Sequence, residues 1–458
     1  MPSKLIGLGL VGVLAACAGN TPRPDLERLY GMQAGNPDQP PVVIVHGALG
    51  SRLDDSDGRE HWPGSLRRIA FGDYRELRLD IDPATLQPQP SSLTPSGVAT
   101  RAGGVDFYGR ILETLESAGG YRRGVVGEPA ARGEKRYYVF VYDWRHDNVV
   151  NARALHDFLG QVRADYNDDD LQVDVVAHSM GGMIVRYYAR YGTVDVLNDN
   201  DFPVTRYGEQ YIRRVVLLGT PSLGSVGALQ TLMRGYKVGL GTIPPAVVAT
   251  FPSTYQVLPH AITNWFVDVN GKPVKKDHFS SRRFWRAFGY AIFDRDVRAD
   301  IAARFGSPDE ATAYLALLER YFHKQLERAR RFSWSLTVPV PDAALEYIVF
   351  GGDCEPTPAR AVWEKATDGT SALRLRPNEI DQPNPAIDYD KLMFEPGDGT
   401  VTKASLLAKQ SFDPTVARHK YSHFLIDYPV FLCERHSQLT GNLDFQNNLL
   451  HALLSIDR

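Results

Sequence analysis

Val173-Asp174-Val175-Val176-Ala177-His178-Ser179-Met180-Gly181-Gly182-Met183-Ile184-Val185 passes from a strand, through a sharp turn, into a helix. The β-branched run up to Ala177 predicts a buried strand. A serine at the tip of such a turn forms a nucleophile elbow, with a strained backbone and an exposed hydroxyl. The residues two before and two after it must be small, because strand and helix pass closely there. Here they are Ala177 and Gly181; the usual pattern has glycine at both positions. His178 directly precedes the serine, so its side chain is expected to point away from it in a structural role.

Working outward, several apolar runs resemble this strand. They are Pro41 to Gly47, Arg136 to Trp144, Leu171 to Ala177, Ile212 to Leu218, Ile348 to Phe350 and Phe424 to Leu432. Continuous apolar runs suit parallel strands buried on both faces. Helical patterns lie between them: Val149 to Tyr166, Gly181 to Arg190 and Asp444 to Leu454. The alternation predicts a mostly parallel central sheet with helices on both faces, and with the elbow it predicts the α/β-hydrolase fold. Between about 226 and 340 the strand signal fades and one long helical pattern, Asp309 to Phe332, dominates. That segment reads as an inserted cap between core parts 41–225 and 341–458. Residues 366–390 read as a long irregular loop.

The first residues differ from the rest. Lys4 precedes the apolar run Leu5 to Leu14, then Ala15-Ala16-Cys17. A basic start, a short apolar stretch and small residues read as a secretory signal, shorter than the roughly 20 apolar residues of a membrane span. Leu14-Ala15-Ala16-Cys17 resembles the lipobox of bacterial lipoproteins. That resemblance implies cleavage after residue 16, lipidation of Cys17 and a lipid anchor in the bacterial envelope. With Ala18 following, it implies the outer membrane, on the periplasmic side. Residues 17–40 read as a tether. The remaining cysteines, Cys354 and Cys433, form an even pair in an exported chain and are expected to be disulfide-bonded. Lys and Arg total 51 against 54 Asp and Glu, a net charge of −3 without long charge runs; this gives no basic surface for nucleic acid. The histidines lack metal-ligand spacing, and no cofactor is expected.

A serine hydroxyl needs a base to take its proton and a carboxylate to orient that base. In this fold the chain order is serine, acid, histidine. Asp398, in Glu395-Pro396-Gly397-Asp398-Gly399-Thr400-Val401, and Asp353, after Ile348 to Phe350, are both candidate acids. His436 follows the last apolar run; His423 precedes that run and His451 sits inside a helical pattern, so both fit worse. The oxyanion formed on attack needs amide donors. Met180, directly after the serine, and Ala48, in His46-Gly47-Ala48-Leu49-Gly50, are the expected ones.

These segments resemble the lecithin:cholesterol acyltransferase family, which includes lysosomal phospholipases and phospholipid:diacylglycerol acyltransferases. The resemblance rests on Val45 to Leu53, Tyr142-Asp143-Trp144-Arg145, Ala177 to Gly182, Leu218-Gly219-Thr220-Pro221, Phe251 to Tyr255 and Gly397 to Val401. Tyr142-Asp143-Trp144-Arg145 is the most specific of them. The resemblance implies a lipid acyl ester as substrate and favours Asp398 as acid, His436 as base, and Ala48 and Met180 as oxyanion donors. It also implies a mobile lid over about 51–78, with Trp62 touching the acyl chain. His46 stands where the family often has proline, and Ala48 where some members carry an acidic residue. Acyl-acceptor choice is therefore not transferable. The expected activity is a serine-dependent lipid acyl hydrolase or O-acyltransferase. A general esterase or depolymerase, and a non-catalytic envelope scaffold of the same fold, are the alternatives. The sequence does not address oligomeric state.

Overall fold

A computed structural model of the chain describes residues 23–37, 39–102, 105–274, 282–338, 345–365, 370–408, 426 and 428–455. The signal segment, Cys17 and His423 lie outside the described residues.

Among the described residues the core is a seven-stranded sheet. Its strands are β1 (Val42–Val45), β2 (Arg122–Arg123), β3 (Arg136–Phe140), β4 (Val173–His178), β5 (Ile212–Leu218), β6 (Glu346–Gly352) and β7 (Tyr428–Leu432). Their spatial order is β7-β6-β5-β4-β1-β3-β2, with every neighbouring pair parallel. The apolar runs are continuous because both faces are covered. Val43, Val45, Val175, Ala177, Val215 and Leu217 face one buried cluster; Val42, Ile44, Val176, Val216, Leu218 and Phe350 face the other. On the first face lie α2 (Asn148–Tyr166) and α3 (Met180–Tyr191), and on the second α1 (Gly109–Ser117) and α4 (Leu443–Leu454). This is the α/β-hydrolase architecture expected from the sequence.

The remaining segments depart from their sequence reading in instructive ways. Within the expected tether, Leu26–Ala34 is a helix capped by Asp25. Only Leu26 and Tyr30, one helical turn apart, are buried there, and the Tyr30 hydroxyl donates to the Asn447 carbonyl at 2.8 Å. Leu29 and Met32 are apolar as well but exposed, so the apolar residues of this segment do not mark out one buried face. The segment after β1 is not one loop. Ser51–Asp54 pairs antiparallel with both Glu60–Trp62 and Thr94–Val98, and a short helix, Leu66–Phe71, follows.

Tyr142-Asp143-Trp144-Arg145 explains how this region is fixed. The Trp144 indole donates to the Ser51 carbonyl at 3.2 Å, and the Tyr142 hydroxyl to the His46 carbonyl at 2.7 Å. Arg145 is fully buried, paired with Asp143 at 2.7 Å, and donates to the carbonyls of Leu77 and Leu93. A buried guanidinium persists only when paired and hydrogen-bonded, so this motif clamps the chain that surrounds the loop after β1.

In the 226–338 stretch the long helix is Pro308–Ser335. Arg328 on it is held between Asp147 and Asp195. The stretch also contains a small hairpin, Tyr236–Val238 with Gly241–Ile243, and Phe266–Asp268, which pairs with Ala361–Lys365. Ala361–Lys365 in turn pairs with Ser371–Arg374, so part of the segment read as an irregular loop is sheet. Among the described residues, no helix is long and apolar enough to cross a membrane.

Candidate active site

Ser179 stands between β4 and α3 with φ +54° and ψ −127°, a conformation that costs a non-glycine residue about 1–3 kcal/mol. Close packing holds it there. A Cβ on Gly181 would lie within 2.8 Å of the Val45 carbonyl oxygen and closer still to that of His46. The Ala177 methyl, by contrast, is accommodated fully buried in the sheet between Val45 and Leu217. Gly47 passes so near the serine that its own Cβ would lie 2.7 Å from the Ser179 Cβ.

Late strands bring the other two expected groups to this point. His436 follows β7, with Nε2 2.9 Å from Ser179 Oγ and Nδ1 2.7 Å from Asp398 Oδ2. The Asp398 Oδ1 accepts from the amides of Thr400 and Val401 at 2.9 and 2.7 Å. Burial works against ionisation of this carboxyl; His436 and the two amides outweigh it and hold the group below the usual carboxylate range. An ionised Asp398 only accepts, so His436 Nδ1 carries the proton and Nε2 is free to accept from the serine hydroxyl. The rival acid is engaged elsewhere: Asp353 pairs with Lys403 at 3.3 Å. His451 lies on α4. Cys354 and Cys433 are joined, with Cα atoms 5.1 Å apart, linking the end of β6 to the residues just before His436.

The two expected amide donors flank the serine. Met180 opens α3, so its amide has no intrahelical acceptor. The Gly47 carbonyl accepts from the Gly50 amide at 3.2 Å and lies 2.8 Å from His46 Nδ1. The opposite ring nitrogen, Nε2, accepts from the Tyr142 amide at 3.4 Å, so Nδ1 is the donor. Across a planar trans peptide the following N–H points the other way from the carbonyl. The Ala48 amide is thereby turned away from His46, and Ala48 lines the same cavity as Ser179. The His46 ring stacks on Tyr142 at 4.1 Å, and burial lowers its pKa to about 4.

This cavity, about 320 Å³, has Ala48, Trp62, Ile69, Tyr108 and His436 among its walls. Trp62 is buried against Tyr74 and Trp144, and its indole donates to the Leu49 carbonyl at 2.9 Å. It thus holds the loop after β1 as well as lining the cavity. Two residues differ from expectation. His178 does not point away from the site: its ring sits 4.9 Å from that of His436 and lines the cavity. Tyr108, which no sequence motif singles out, makes two hydrogen bonds there through its hydroxyl, to the Gly47 amide and to His178 Nδ1. Strand alternation offers a signal for His178, since it shares a sheet face with Val176, the face on which α1 and α4 lie.

The rim of the cavity is the Leu66–Phe71 helix and the Tyr236–Ile243 hairpin, joined where the Thr242 amide donates to the Gly72 carbonyl at 3.1 Å. Ile69, Tyr236 and Val238 reach the cavity. Outward, Leu66, Phe71 and Leu240 are 73, 78 and 79% exposed. Among the described residues no group of three or more His, Cys, Asp or Glu side chains could hold a metal ion.

A family model described as lecithin:cholesterol acyltransferase matches residues 131–412, more than half of the chain. A comparison with curated proteins gave no match. Among solved structures, a chain of the Tle4–Tli4 complex aligns with a TM-score of 0.55 at 13% identity, over 91% of this chain and 98% of that one. Staphylococcus hyicus lipase aligns with a TM-score of 0.38 at 15% identity, over 91% and 96% of the two chains. EstA from Clostridium botulinum gives 0.38 at 12% identity, over 92% and 89%.

Proposed function

This chain belongs to the lecithin:cholesterol acyltransferase family, and from that premise we propose that it is a serine-dependent acyl hydrolase or O-acyltransferase acting on glycerolipid or glycerophospholipid esters. The observation that carries the proposal is the continuous hydrogen-bonded series Asp398, His436, Ser179, at 2.7 and 2.9 Å, ending on a serine of positive φ.

In the proposed reaction Ser179 Oγ attacks the ester carbonyl while its proton passes to His436 Nε2. Asp398 keeps Nδ1 protonated and stabilises the imidazolium. The amides of Ala48 and Met180 receive the developing oxyanion. Collapse of the intermediate breaks the bond to the glycerol oxygen, which takes the proton from His436. An acyl-serine remains. Water or an alcohol then gives its proton to His436, attacks the acyl carbonyl, and the serine regains its hydrogen.

The exposed apolar rim favours a substrate drawn from a lipid surface over a soluble ester. Each such side chain moved out of water contributes about 1.5–3 kcal/mol. Trp62, on the cavity wall, is the proposed contact for the acyl chain, and the rim is the proposed lid. The proposed location is the outer membrane, facing the periplasm, with Cys17 lipidated; Cys17→Ala is expected to move the protein from the membrane to the soluble fraction.

A fluorophosphonate probe, followed by peptide mapping, tests the central claim. The expected label is on Ser179, and Ser179→Ala is expected to lose both label and phospholipid hydrolysis while keeping its melting temperature. Turnover retained in that variant, or a label on another residue, overturns the proposal. Product analysis with phospholipid vesicles, with and without a long-chain alcohol, separates hydrolysis from transfer.

A further inference from the structure

We propose that His178 and Tyr108 are positioning residues that couple the oxyanion loop to the catalytic base through one uncharged hydrogen-bond chain. This rests on the roles proposed above for Ser179 and His436.

The chain begins at the Gly47 amide, which donates to the Tyr108 hydroxyl oxygen at 2.8 Å. That hydroxyl lies 2.8 Å from His178 Nδ1. At the far side of the ring, His178 Nε2 lies 3.3 Å from the His436 carbonyl oxygen. A carbonyl can only accept, so Nε2 must carry hydrogen. Burial first, and the neighbouring His436 second, lower the His178 pKa to about 3, so the ring is neutral and holds one hydrogen only. Nδ1 therefore accepts, and Tyr108 must donate to it. The direction of every bond is fixed: Gly47 N–H to Tyr108, Tyr108 O–H to His178 Nδ1, His178 Nε2–H to the His436 carbonyl.

The two ends of this chain matter to the reaction. Gly47 immediately precedes Ala48, so its orientation governs where the Ala48 amide points. The other end is the backbone of the base itself. The ionic bond to Asp398 orients the His436 ring. The neutral chain instead sets the distance between base and oxyanion amide, measured across the serine. It does so without adding charge beside the imidazolium formed during turnover. A misplacement of about 1 Å in such a site costs on the order of 10²-fold in rate, whereas outright loss of one oxyanion donor costs about 10²–10³-fold.

The test uses Tyr108→Phe, His178→Leu and His178→Gln in the full chain, with active sites counted by fluorophosphonate titration. Turnover per titrated site is expected to fall about 10–100-fold in Tyr108→Phe and His178→Leu, with KM changed less than about two-fold. The Ki of an alkyl boronic acid, which forms a tetrahedral adduct on the serine, is expected to rise by the same factor as kcat/KM falls. His178→Gln, whose amide can donate near the position of Nε2, is expected to recover part of the loss. A merely structural role would lower the number of titratable sites and leave turnover per site and Ki unchanged, and that result overturns the inference. If His178→Leu does not fold, Tyr108→Phe, which removes one oxygen, decides alone. Inactive Ser179→Ala beside fully active Tyr108→Phe removes this inference and leaves the proposed reaction standing.

Discussion

At the floor of the cavity, polar groups come from the ends of β1 and β4 and the loops after β6 and β7, and the three side chains of the series are each answered by a partner. Ser179 meets His436, His436 meets Asp398, and Asp398 meets two backbone amides. At the rim the situation is reversed. The helix Leu66–Phe71 has no buried residue, and its Leu66 and Phe71 side chains face outward beside Leu240 of the Tyr236–Ile243 hairpin. The serine, histidine and aspartate of the floor are therefore satisfied within the protein, while the rim leaves large apolar side chains in water. Large exposed apolar patches mark interaction sites, and here the patch borders the proposed nucleophile.

The strongest way to break the floor is to change its acid. Asp398→Asn preserves shape but lets His436 adopt the other tautomer, and a loss of about 10⁴-fold in kcat is expected. Activity within ten-fold of the parent would show that the carboxylate is not the orienting group. Gly47→Ala comes next. Its methyl would collide with Ser179 and displace the loop carrying Ala48, so a loss of about 10²–10³-fold is expected, read as kcat on a soluble short-chain ester. The rim is sharpened by Leu66→Asp with Leu240→Asp. Both sites are on the surface, so the fold is expected to tolerate them. Hydrolysis of phospholipid vesicles is expected to fall about ten-fold or more, since each residue forfeits about 1.5–3 kcal/mol of transfer. Turnover of the short ester is expected to change less than two-fold. Equal losses on both substrates would remove the distinction between floor and rim.

The same distinction governs what the sequence makes legible. Six of the seven sheet strands are continuous apolar runs; the exception, Arg122–Arg123, is two residues long and polar. Ser179 lies in a local motif, and its strained backbone follows from the small residues on either side. The choice of acid is not local. Asp353 and Asp398 each follow a late strand or turn, and what separates them in space is the Lys403 beside one and His436 beside the other. Tyr108 could not be singled out, because its partners Gly47 and His178 lie 61 and 70 residues away. Its neighbour Ser179 alone points His178 away from the site, whereas strand parity with Val176 points it to the face where Tyr108 lies. The rim escapes sequence reading for another reason. A six-residue helix that buries nothing has no buried face to produce a periodic pattern.

The smallest expected effect separates floor from rim by titration. His46 and His178 are buried and neutral, with pKa lowered to about 4 and about 3, mainly by burial. In the unfolded chain a histidine takes a proton near pH 6.5. Between that value and the folded pKa the unfolded state binds more protons, so stability falls as pH falls. The contribution is complete above about pH 6.5, is lost as pH drops toward 4, and levels off below the folded values. Each histidine adds a slope of at most about 1.4 kcal/mol per pH unit. His146, also lowered by burial, acts in the same direction. Nearby Asp143 opposes the shift on His46, and Asp398 opposes the shift on His178. The depressed pKa of Asp398 itself costs stability only as pH falls further, through its folded value. Urea unfolding from pH 7 to 4.5 is therefore expected to give a slope that His178→Asn reduces by about one proton's worth. The Leu66→Asp, Leu240→Asp variant is expected to keep the parent slope, because both positions are exposed and a carboxylate there stays in water in the folded and unfolded states alike. An unchanged slope in His178→Asn would mean that His178 is protonated in the folded protein. A protonated ring has no lone pair to accept the Tyr108 hydrogen, and the uncharged chain across the floor would then be broken at its centre.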